Sequence, residues 1–563
     1  MPQDAFTLRY LCEEINEIVK GGKINKITQP TPDVTVFTVY TVRGNVRKLL
    51  LDVNPSSPRI GIIEEEPEQI VANNNFCMLL KKHMLSATID SVSVVGFDRI
   101  VKIDVTPSRE FFDAPQKTVF VELMGRYSNV ILTENGLVMG GNRGVNTLDN
   151  NVRPLITGRK YVFPPVGDKK LPQDRSLIEY FEQNHSDIKT SVISAIQGVA
   201  DSTASEIEKK YYEKNVEFNA AQFFQFLNDY LYRTQKKPCV IINGGEIKDV
   251  CVYPYETIMG DKIFFDELYL AEEEYFRSKA ERKNFSELKS RLRSKTETAT
   301  KKAKKRLNAI ISREKDAESA EENKINGELI LSNIYKIRLG DKVLNTINFY
   351  NNENIEIPLD PNLSAAENAQ NYFKKYGKQK RAAVALVSEK KSATEEFEYL
   401  NGVSDEIEIA EDIIDLKAIE EELVFSGLIK TQNKSVKKKN VTIPYRNYVV
   451  SGFNVKVGRN NVENDKLTFS AKPVDIWLHA KDYHSSHVVI ETEGKEVTED
   501  IIVIAAEICA YFSKGKEGGK TEIVYTQKKN VKKPPKSKLG FCTYTNFKSI
   551  SVIPDKHAES LKN

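Results

Sequence analysis

The feature that most constrains this chain is a long stretch, Leu268 to Asn326, that contains neither proline nor glycine. Within it, eight positions recur at steps of three and four residues, and seven of the eight are apolar: Phe285, Leu288, Leu292, Thr296, Ala299, Ala303, Leu307 and Ile310. Repeated 3-4-4 steps give a period of about 11 residues, which keeps an apolar seam nearly straight along a helix. The sequence therefore predicts one long helix with charged flanking faces.

A second helical tract follows, from about Ala365 to Gly427, and we expect it to break near Asn401-Gly402. Between the two tracts, the segment KVLNTINFYNNENIEIPLDP is typical of a small hairpin. We therefore predict that residues 268–430 form a long antiparallel coiled-coil arm with a small tip. The apolar seam could serve a spacing arm or a dimerisation interface.

The arm separates modules of mixed composition, so the predicted fold class is α+β and multidomain. Residues 1–172 combine an amphipathic helix with short strands, and residues 431–563 form a second α+β module. Residues 173–237 are helical, and Gly198 joins two short helices in the manner of a helix-hairpin-helix, whose turn can direct N–H groups at a phosphate. A plain two-helix packing unit is the alternative. Residues 238–267 return to β structure, and we expect them to rejoin the first sheet.

The stretch VVGFDRIVKIDV, Val94 to Val105, is β-branched and alternating, which predicts a strand. Its middle holds the adjacent pair Asp98-Arg99, and neighbouring strand residues point to opposite faces. Either the pair forms salt bridges on two faces, or the strand is interrupted to present it to a partner. Gly96 would permit a bulge there. Farther on, Arg126 could bind a phosphate or bridge to a buried carboxylate.

Composition excludes several classes of protein. The chain has 563 residues and a net charge of +3, yet residues 431–563 hold 23 Lys+Arg against 14 Asp+Glu, which favours a polyanionic partner. The six cysteines form no CxxC pair, so neither a disulfide framework nor a zinc ribbon is expected. No apolar run is long enough to span a bilayer and no signal peptide is evident. We expect a cytoplasmic protein without membrane contact.

Signatures of catalysis are scarce, since the sequence lacks the phosphate-loop, dinucleotide, zinc-protease and nucleophile-elbow motifs. We predict no catalytic residues, no cofactor and no metal. His479, His484 and His487 cluster in sequence, but His484 and His487 would point to opposite faces of a strand. Trp477 could stack on a base or lie in the core. The candidate RNA-binding residues of this module are Lys481, His484, His487, Lys532, Lys533 and Lys536.

Five segments carry a resemblance to a known family: GGKINKITQP, LLLDVNPSSPRI, GFDRI, VELMGRYSNVIL and GRNNVENDKLTFSAKPVDIWLHAKDYHSSHVVI. They resemble the NFACT proteins over essentially the whole chain. The resemblance implies an N-terminal module with a glycosylase-like fold and a helix-hairpin-helix insertion, then the coiled-coil arm, then an NFACT-R RNA-binding module. Many relatives have Pro-Gly-Ser where this chain has His484-Ser485-Ser486, so the resemblance assigns no role to that loop.

The resemblance also implies a function in ribosome-associated quality control. Such proteins bind stalled large ribosomal subunits that carry peptidyl-tRNA, contact rRNA, and recruit alanine tRNA for an untemplated alanine tail that marks the nascent chain for degradation. The residues implied in tRNA binding are Asp98 and Arg99, together with the trio Glu122, Leu123 and Met124, to which we add Arg126. A small RNA-binding protein is a further implied partner, and peptide-bond formation is left to the ribosome.

Two other functions are open at this point. The same family has been described as fibronectin-binding surface adhesins, which would place the protein outside the cell. The resemblance to DNA glycosylases would make Pro2 an amine nucleophile, but residue 3 is Gln where those enzymes have an acidic residue. We expect neither activity.

Overall fold

The computed structural model describes residues 3–68, 74–107, 115–143, 153, 155–165, 167–215, 217–318, 320–429, 445–535 and 537–557. Pro2 and the basic segment KSVKKKN lie outside these residues. The chain divides into two compact units, Met1–Glu281 and Arg282–Asn563, and each is described by itself.

In the first unit the helices and strands are α1 (Ala5–Val19), β1 (Lys23–Thr31), β2 (Val34–Tyr40), β3 (Val46–Asp52), β4 (Arg59–Ile63), α2 (Asn75–Met84), β5 (Thr88–Val94), β6 (Ile100–Thr106), β7 (Lys117–Glu122), β8 (Asn129–Glu134), β9 (Leu137–Gly141), α3 (Ser176–Gln183), α4 (Ile188–Ala195), α5 (Asp201–Tyr212), α6 (Ala220–Leu231), β10 (Cys239–Asn243), β11 (Glu246–Cys251) and β12 (Asp261–Phe264).

A large antiparallel sheet organises this unit. In the described part of the chain it has nine strands in the order β4-β3-β2-β1-β5-β6-β7-β8-β9. One face of the sheet carries the largest core of this unit, in which α1, α2 and α3 to α6 bury their apolar stripes, and smaller apolar clusters form from the alternate strand residues. Asp4 caps α1, because its Oδ1 accepts the Thr7 N–H at 2.9 Å.

The prediction that residues 238–267 rejoin this sheet is wrong. Strands β10 to β12 form a separate sheet in the order β11-β10-β12. Side chains of this small sheet, including Val240 and Val250, nevertheless belong to the same apolar core as the large sheet. Apolar patterning predicts which side of a strand is buried, but it does not determine which strand pairs with it.

The long helix begins where the sequence predicts it. The arm contains α7 (Leu268–Glu318), α8 (Ala320–Ser332), the hairpin β13 (Val343–Asn348) and β14 (Glu353–Pro358), α9 (Ala365–Ile409) and α10 (Ile413–Phe425). The pairs Arg306–Glu396 (2.9 Å) and Arg313–Glu389 (3.6 Å) show that α7 and α9 run antiparallel. The fold class, an α+β multidomain chain with a long antiparallel arm, is confirmed.

The seam of α7 is filled within the chain. Ile310 packs against Leu386 and Ala393 of α9, and Leu292 lies in a cluster with Val403 and Ile407 of the same helix. The sequence left open whether this seam serves a spacing arm or a dimerisation interface, and the structure therefore does not support dimerisation. The predicted break at Asn401-Gly402 is also wrong, because α9 continues through both residues to Ile409.

The C-terminal domain contains β15 (Arg446–Val450), β16 (Phe453–Val457), α11 (Asn461–Ser470), β17 (Ile476–Ala480), β18 (Val488–Glu491), α12 (Glu499–Tyr511), β19 (Thr521–Gln527), β20 (Val531–Lys532), β21 (Thr543–Tyr544) and β22 (Lys548–Val552). Six of its described strands form a sheet in the order β15-β16-β18-β17-β19-β22. One face packs on α12, and the other packs on Leu467 of α11 and Val531 of β20.

Candidate functional site

The Asp98-Arg99 pair lies in a hairpin turn between two strands. The prediction of one strand from Val94 to Val105 is therefore wrong: β5 ends at Val94, β6 begins at Ile100, and the Val95 N–H donates to the Ile100 carbonyl at 2.8 Å. Gly96 lies in the loop between these strands with a φ of +62°, which favours glycine. The strand is interrupted, as the second of the two sequence interpretations proposed.

Residues within the turn differ in whether their side chains lie in the core or at the surface. Phe97 is buried in the core, with its ring 5.9 Å from that of Tyr232. Asp98 and Arg99 are half-buried at the surface. The Asp98 carboxylate accepts the Arg99 backbone N–H at 2.7 Å, so one role of the aspartate is to fix the backbone of its neighbour.

The same turn is tied to the trio Glu122, Leu123 and Met124. The Leu123 N–H donates to the Arg99 carbonyl at 2.9 Å, which sets the two motifs side by side. Leu123 is buried and Met124 is half-buried. Of the trio, Met124 is the member that reaches the surface cleft described below.

Glu122 is engaged inside the protein. Its carboxylate accepts from the Arg153 guanidinium at 3.0 Å and from the Tyr161 hydroxyl at 2.6 Å. Burial, with the Glu122 charge beside it, raises the pKa of Tyr161 well above its usual value. A ligand at the surface cannot reach the Glu122 or Leu123 side chain in this conformation. Their role in RNA binding stays a prediction, and that role would be to support the segment that carries Met124.

Arg126 is the exposed cation of the polar turn after the trio. It lies in a short 3-10 helix, Gly125–Tyr127, with its guanidinium carbon 4.7 Å from the centre of the exposed Tyr127 ring. Of the two sequence interpretations, an exposed arginine fits contact with an anion better than a buried bridge. Its place in the tRNA site remains a prediction.

The helix-hairpin-helix turn packs directly on the Asp98 loop. Helices α4 and α5 are joined through Gly198, whose φ is +66°. A Cβ at this position would overlap the Ala5 side chain and lie 2.7 Å from the Phe97 carbonyl oxygen. Glycine is required here both by the backbone conformation and by the close approach.

The two turns enclose a cleft of about 420 Å³. Its lining brings together residues that are distant in sequence: Asp4, Asp98, Arg99, Met124, Pro165, Lys169, Gln197, Gly198, Val199, Ala200 and Asp201. Arg99 and the exposed Lys169 supply its cationic side chains. Sequence reasoning missed Lys169 and Gln197, since nothing in their local sequence connects them to the Asp98 loop.

An internal carboxylate already occupies the start of α5. Asp4 Oδ2 accepts the Ala200 N–H at 3.0 Å and the Thr203 hydroxyl at 2.7 Å. Asp4 thereby connects the N-terminus of α1 to that of α5. The negative charge of Asp4 would repel a phosphate bound at the start of α5. The cationic side chains of the cleft are therefore the groups suited to phosphate contact.

In the C-terminal domain, Trp477 is fully buried, so of its two open roles the core role is confirmed. Its indole N–H donates to the Thr468 hydroxyl at 3.2 Å, and that hydroxyl contacts His487 Nδ1 at 2.7 Å. His487 is also buried, which removes its ring from the surface as a direct RNA contact. Burial lowers the pKa of His479 to about 4 and that of His487 well below its usual value.

His484 packs against the arm. A Cβ added at Gly402 of α9 would lie 2.7 Å from His484 Cδ2, so glycine makes room for the imidazole. Burial lowers the pKa of His484. This contact explains why a glycine stands within a continuous helix, and it gives a packing role to His484, which the sequence suggested as a candidate RNA-binding residue.

The lysines predicted to bind RNA have different surroundings. Lys481 pairs with Glu522 at 3.1 Å, and Lys533 pairs with Asp465. Lys532 is exposed on β20. Lys536 lies outside the described residues.

Among the residues that the structure describes, no group of three or more His, Cys, Asp or Glu side chains could hold a metal ion. Within the same residues, no helix combines the length and the apolar character that a membrane crossing requires.

Gln3 occupies the position where a glycosylase would carry its acidic residue. Its Nε2 donates to the Ile60 carbonyl at 2.9 Å and to Glu272 at 3.0 Å, and its Oε1 accepts the Ile60 N–H at 3.1 Å. The amide is thus fully used in packing α1 against β4. This arrangement gives Gln3 a structural role.

Comparison with known proteins agrees with this architecture. A model of the NFACT N-terminal and middle domains matches residues 4–442, and a model of the NFACT protein RNA binding domain matches residues 445–540. Proteins named Rqc2 homolog RqcH are similar over their whole length. The protein from Bacillus subtilis is 32% identical, covering 97% of this chain and 96% of the relative, and that from Streptococcus pneumoniae strain D39 is 29% identical, covering 100% of both.

Among solved structures, the N-terminal part of a fibronectin/fibrinogen-binding protein from Streptococcus suis is 23% identical with a TM-score of 0.43, covering 49% of this chain and 98% of that one. The C-terminal part of the same protein is 28% identical with a TM-score of 0.40, covering 50% of this chain and 99% of that one. The match of the N-terminal and middle domains over most of the chain, followed by the RNA binding domain, shows that this chain belongs to the NFACT family.

Proposed function

We propose that this protein is a ribosome quality-control factor that binds RNA and catalyses no reaction itself. The proposal rests on family membership, on full-length similarity to Rqc2 homologs, and on a C-terminal domain of the NFACT RNA-binding type. In this function the protein works with ribosomes in the cytoplasm. Its finer form is that it binds stalled large subunits carrying peptidyl-tRNA and recruits alanine tRNA, so that the ribosome appends an untemplated alanine tail.

The observation that carries the proposal is the cleft between the Asp98 loop and the helix-hairpin-helix turn. Its lining includes the Arg99 and Lys169 cations and the apolar Met124 side chain, together with the carboxylates of Asp4, Asp98 and Asp201. Cations of this kind contact phosphates, while an apolar side chain can pack on a base or ribose. A tRNA could therefore be held here by its backbone and by one exposed nucleotide.

The structure of the turn suggests a division of labour between Asp98 and Arg99. The carboxylate already holds the Arg99 backbone N–H, so it stabilises the loop that presents the guanidinium. Arginine is suited to a forked contact with a phosphate or a base edge. We therefore assign tRNA contact to Arg99 and Met124, and positioning to Asp98, with Glu122 and Leu123 supporting the segment that carries Met124.

The test is the double variant Asp98→Ala with Arg99→Ala, compared with the matched variant Asp261→Ala with Lys262→Ala. The control pair is also an adjacent acid and base, but it lies on β12 and does not line the cleft. Each full-length protein is purified from cells by affinity, and the bound RNA is sequenced. We expect large-subunit rRNA and alanine tRNA with wild type and with the control.

For the Asp98/Arg99 variant, tRNA recovery should fall about tenfold or more, since one arginine contact to RNA contributes roughly 1–3 kcal/mol. Recovery of rRNA should persist, because the cleft is one of several contacts. Unchanged tRNA recovery would refute the role of the cleft. Absence of ribosomal RNA from the wild-type sample would refute the whole function.

A further inference from the structure

A cluster of lysines forms around α11 and the end of β19 in the C-terminal domain. We call it the lysine patch, and its members are Lys466, Lys472, Lys528, Lys529, Lys532 and Lys533. They come from four segments: α11, the turn after it, the 3-10 turn Lys528–Asn530, and β20 with the residue that follows. Only Lys532 and Lys533 stand out in the sequence as candidates for RNA binding.

Backbone hydrogen bonds bring these segments together. The Lys528 N–H donates to the Asp475 carbonyl at 2.8 Å, and the Lys529 N–H donates to the Pro473 carbonyl at 3.1 Å. The 3-10 turn is thereby fixed against the turn that carries Lys472. The Nζ atoms of Lys528 and Lys533 lie 5.8 and 5.9 Å from the centre of the Phe469 ring, so that two of the ammonium groups lie near the same aromatic ring.

Two carboxylates lie next to the patch, and one of them neutralises a patch lysine. Asp465 pairs with Lys533. Asp475 is buried and accepts the backbone N–H groups of Lys472 at 2.8 Å and Thr492 at 3.0 Å, which closes the turn. Holding several like charges together destabilises a free protein, and an anionic partner relieves that repulsion.

The patch is separate from Lys481 and His484. In the sheet, Ile476 of β17 pairs with Gln527 of β19, and the patch lies at this end of the two strands. At the other end the Lys481 N–H donates to the Glu522 carbonyl, and the Lys481 side chain is neutralised by the Glu522 carboxylate. The candidate lysines of the sequence therefore divide between opposite ends of the domain.

We propose that the lysine patch is the surface on which the C-terminal domain binds the phosphate backbone of RNA. The inference rests on the proposed RNA-binding function and adds the location and chemistry of the contact. Lysine ammonium groups are point charges without a fixed fork, so they neutralise phosphates and do not distinguish bases. Binding at the patch is independent of RNA sequence and driven by counterion release, which makes it steeply dependent on salt.

The test compares two matched double variants of the full-length chain. The patch variant is Lys529→Gln with Lys532→Gln, and the control is Lys520→Gln with Lys548→Gln. All four lysines are exposed. Lys520 precedes β19 at its other end, and Lys548 pairs with Tyr525, which packs on the α12 face of the sheet. The probe is a fluorescent RNA duplex of about 20 base pairs, long enough to present a continuous backbone to the patch.

Dissociation constants are measured across a series of salt concentrations. For the patch variant we expect affinity to fall roughly 10- to 100-fold at about 0.1 M salt, and the slope of log K against log salt to decrease by about 1.4 to 1.8, which corresponds to two lost phosphate contacts. The control should keep the wild-type slope. Equal slopes for wild type and patch variant would overturn the patch while leaving RNA binding intact, and no binding by wild type would overturn the RNA-binding function itself.

Discussion

The contact between Gly402 and His484 allows a quantitative test of how the arm packs on the C-terminal domain. The perturbation is Gly402→Ala, which adds one methyl group inside a continuous helix. On propensity alone, alanine should stabilise α9 by about 1 kcal/mol relative to glycine. The structure predicts the opposite sign, because the new Cβ would overlap the half-buried imidazole of His484 and lie 2.7 Å from its Cδ2.

Inserting a methyl group into a packed contact costs about 1–3 kcal/mol. The net effect of Gly402→Ala should therefore be a destabilisation of roughly 0–2 kcal/mol. In a chain that already carries His484→Ala the overlap is absent, so the same substitution should stabilise by about 1 kcal/mol. The coupling energy between the two positions should thus be about 1–3 kcal/mol.

The chain provides its own probe for this measurement. Trp477 is the only tryptophan in the sequence and is fully buried in the C-terminal domain. Urea unfolding followed by tryptophan fluorescence on wild type, both single variants and the double variant completes the cycle. If Gly402→Ala raised the unfolding midpoint equally with and without His484, the packing argument would be refuted.

Two further predictions concern buried titratable groups. Burial raises the pKa of Glu272 to about 8, so its stabilising contribution is present below the ordinary pKa of 4.5 and is lost as pH rises through 8. Glu272→Gln should therefore flatten the decline in thermal stability between pH 5 and 8, followed by circular dichroism, and an unaltered decline would contradict this. Burial lowers the pKa of His479 to about 4, so its contribution is present above 6.5 and is lost as pH falls through 4. His479→Gln should weaken the acid-induced loss of stability seen by Trp477 fluorescence, whereas a profile identical to wild type would argue against a neutral imidazole at this position of the folded protein.

Several features of this protein follow from local sequence. The absence of proline and glycine and the 3-4-4 spacing predict α7 from Leu268 onward, and the turn residues around KVLNTINFYNNENIEIPLDP predict the hairpin at the tip. Helix propensity and apolar period are properties of neighbouring residues, so one stretch of sequence contains the information they need. The glycine at position 198 likewise marks the turn between α4 and α5.

Only part of the candidate site could be predicted from the sequence. The resemblance singled out Asp98 and Arg99, but periodicity left open whether the strand is interrupted there, because a β-rich hairpin with a short loop keeps the alternation of a single strand. Lys169 and Gln197 could not be found at all, since they line the cleft with residues that are far away in the sequence. The burial of Glu122 depends on Arg153 and Tyr161, which are 31 and 39 residues away.

The sequence by itself determined the order of the modules, the long helix and the charge of the C-terminal domain. Tertiary structure decided which partner fills the seam of α7, that β10 to β12 form their own sheet, that Trp477 lies in the core, and that Lys528 and Lys481 lie at opposite ends of paired strands. The physical reason is that these outcomes depend on contacts between residues far apart in the chain. A period or a propensity states which face of an element is apolar, but the surface that covers that face is chosen by the packing of the whole domain.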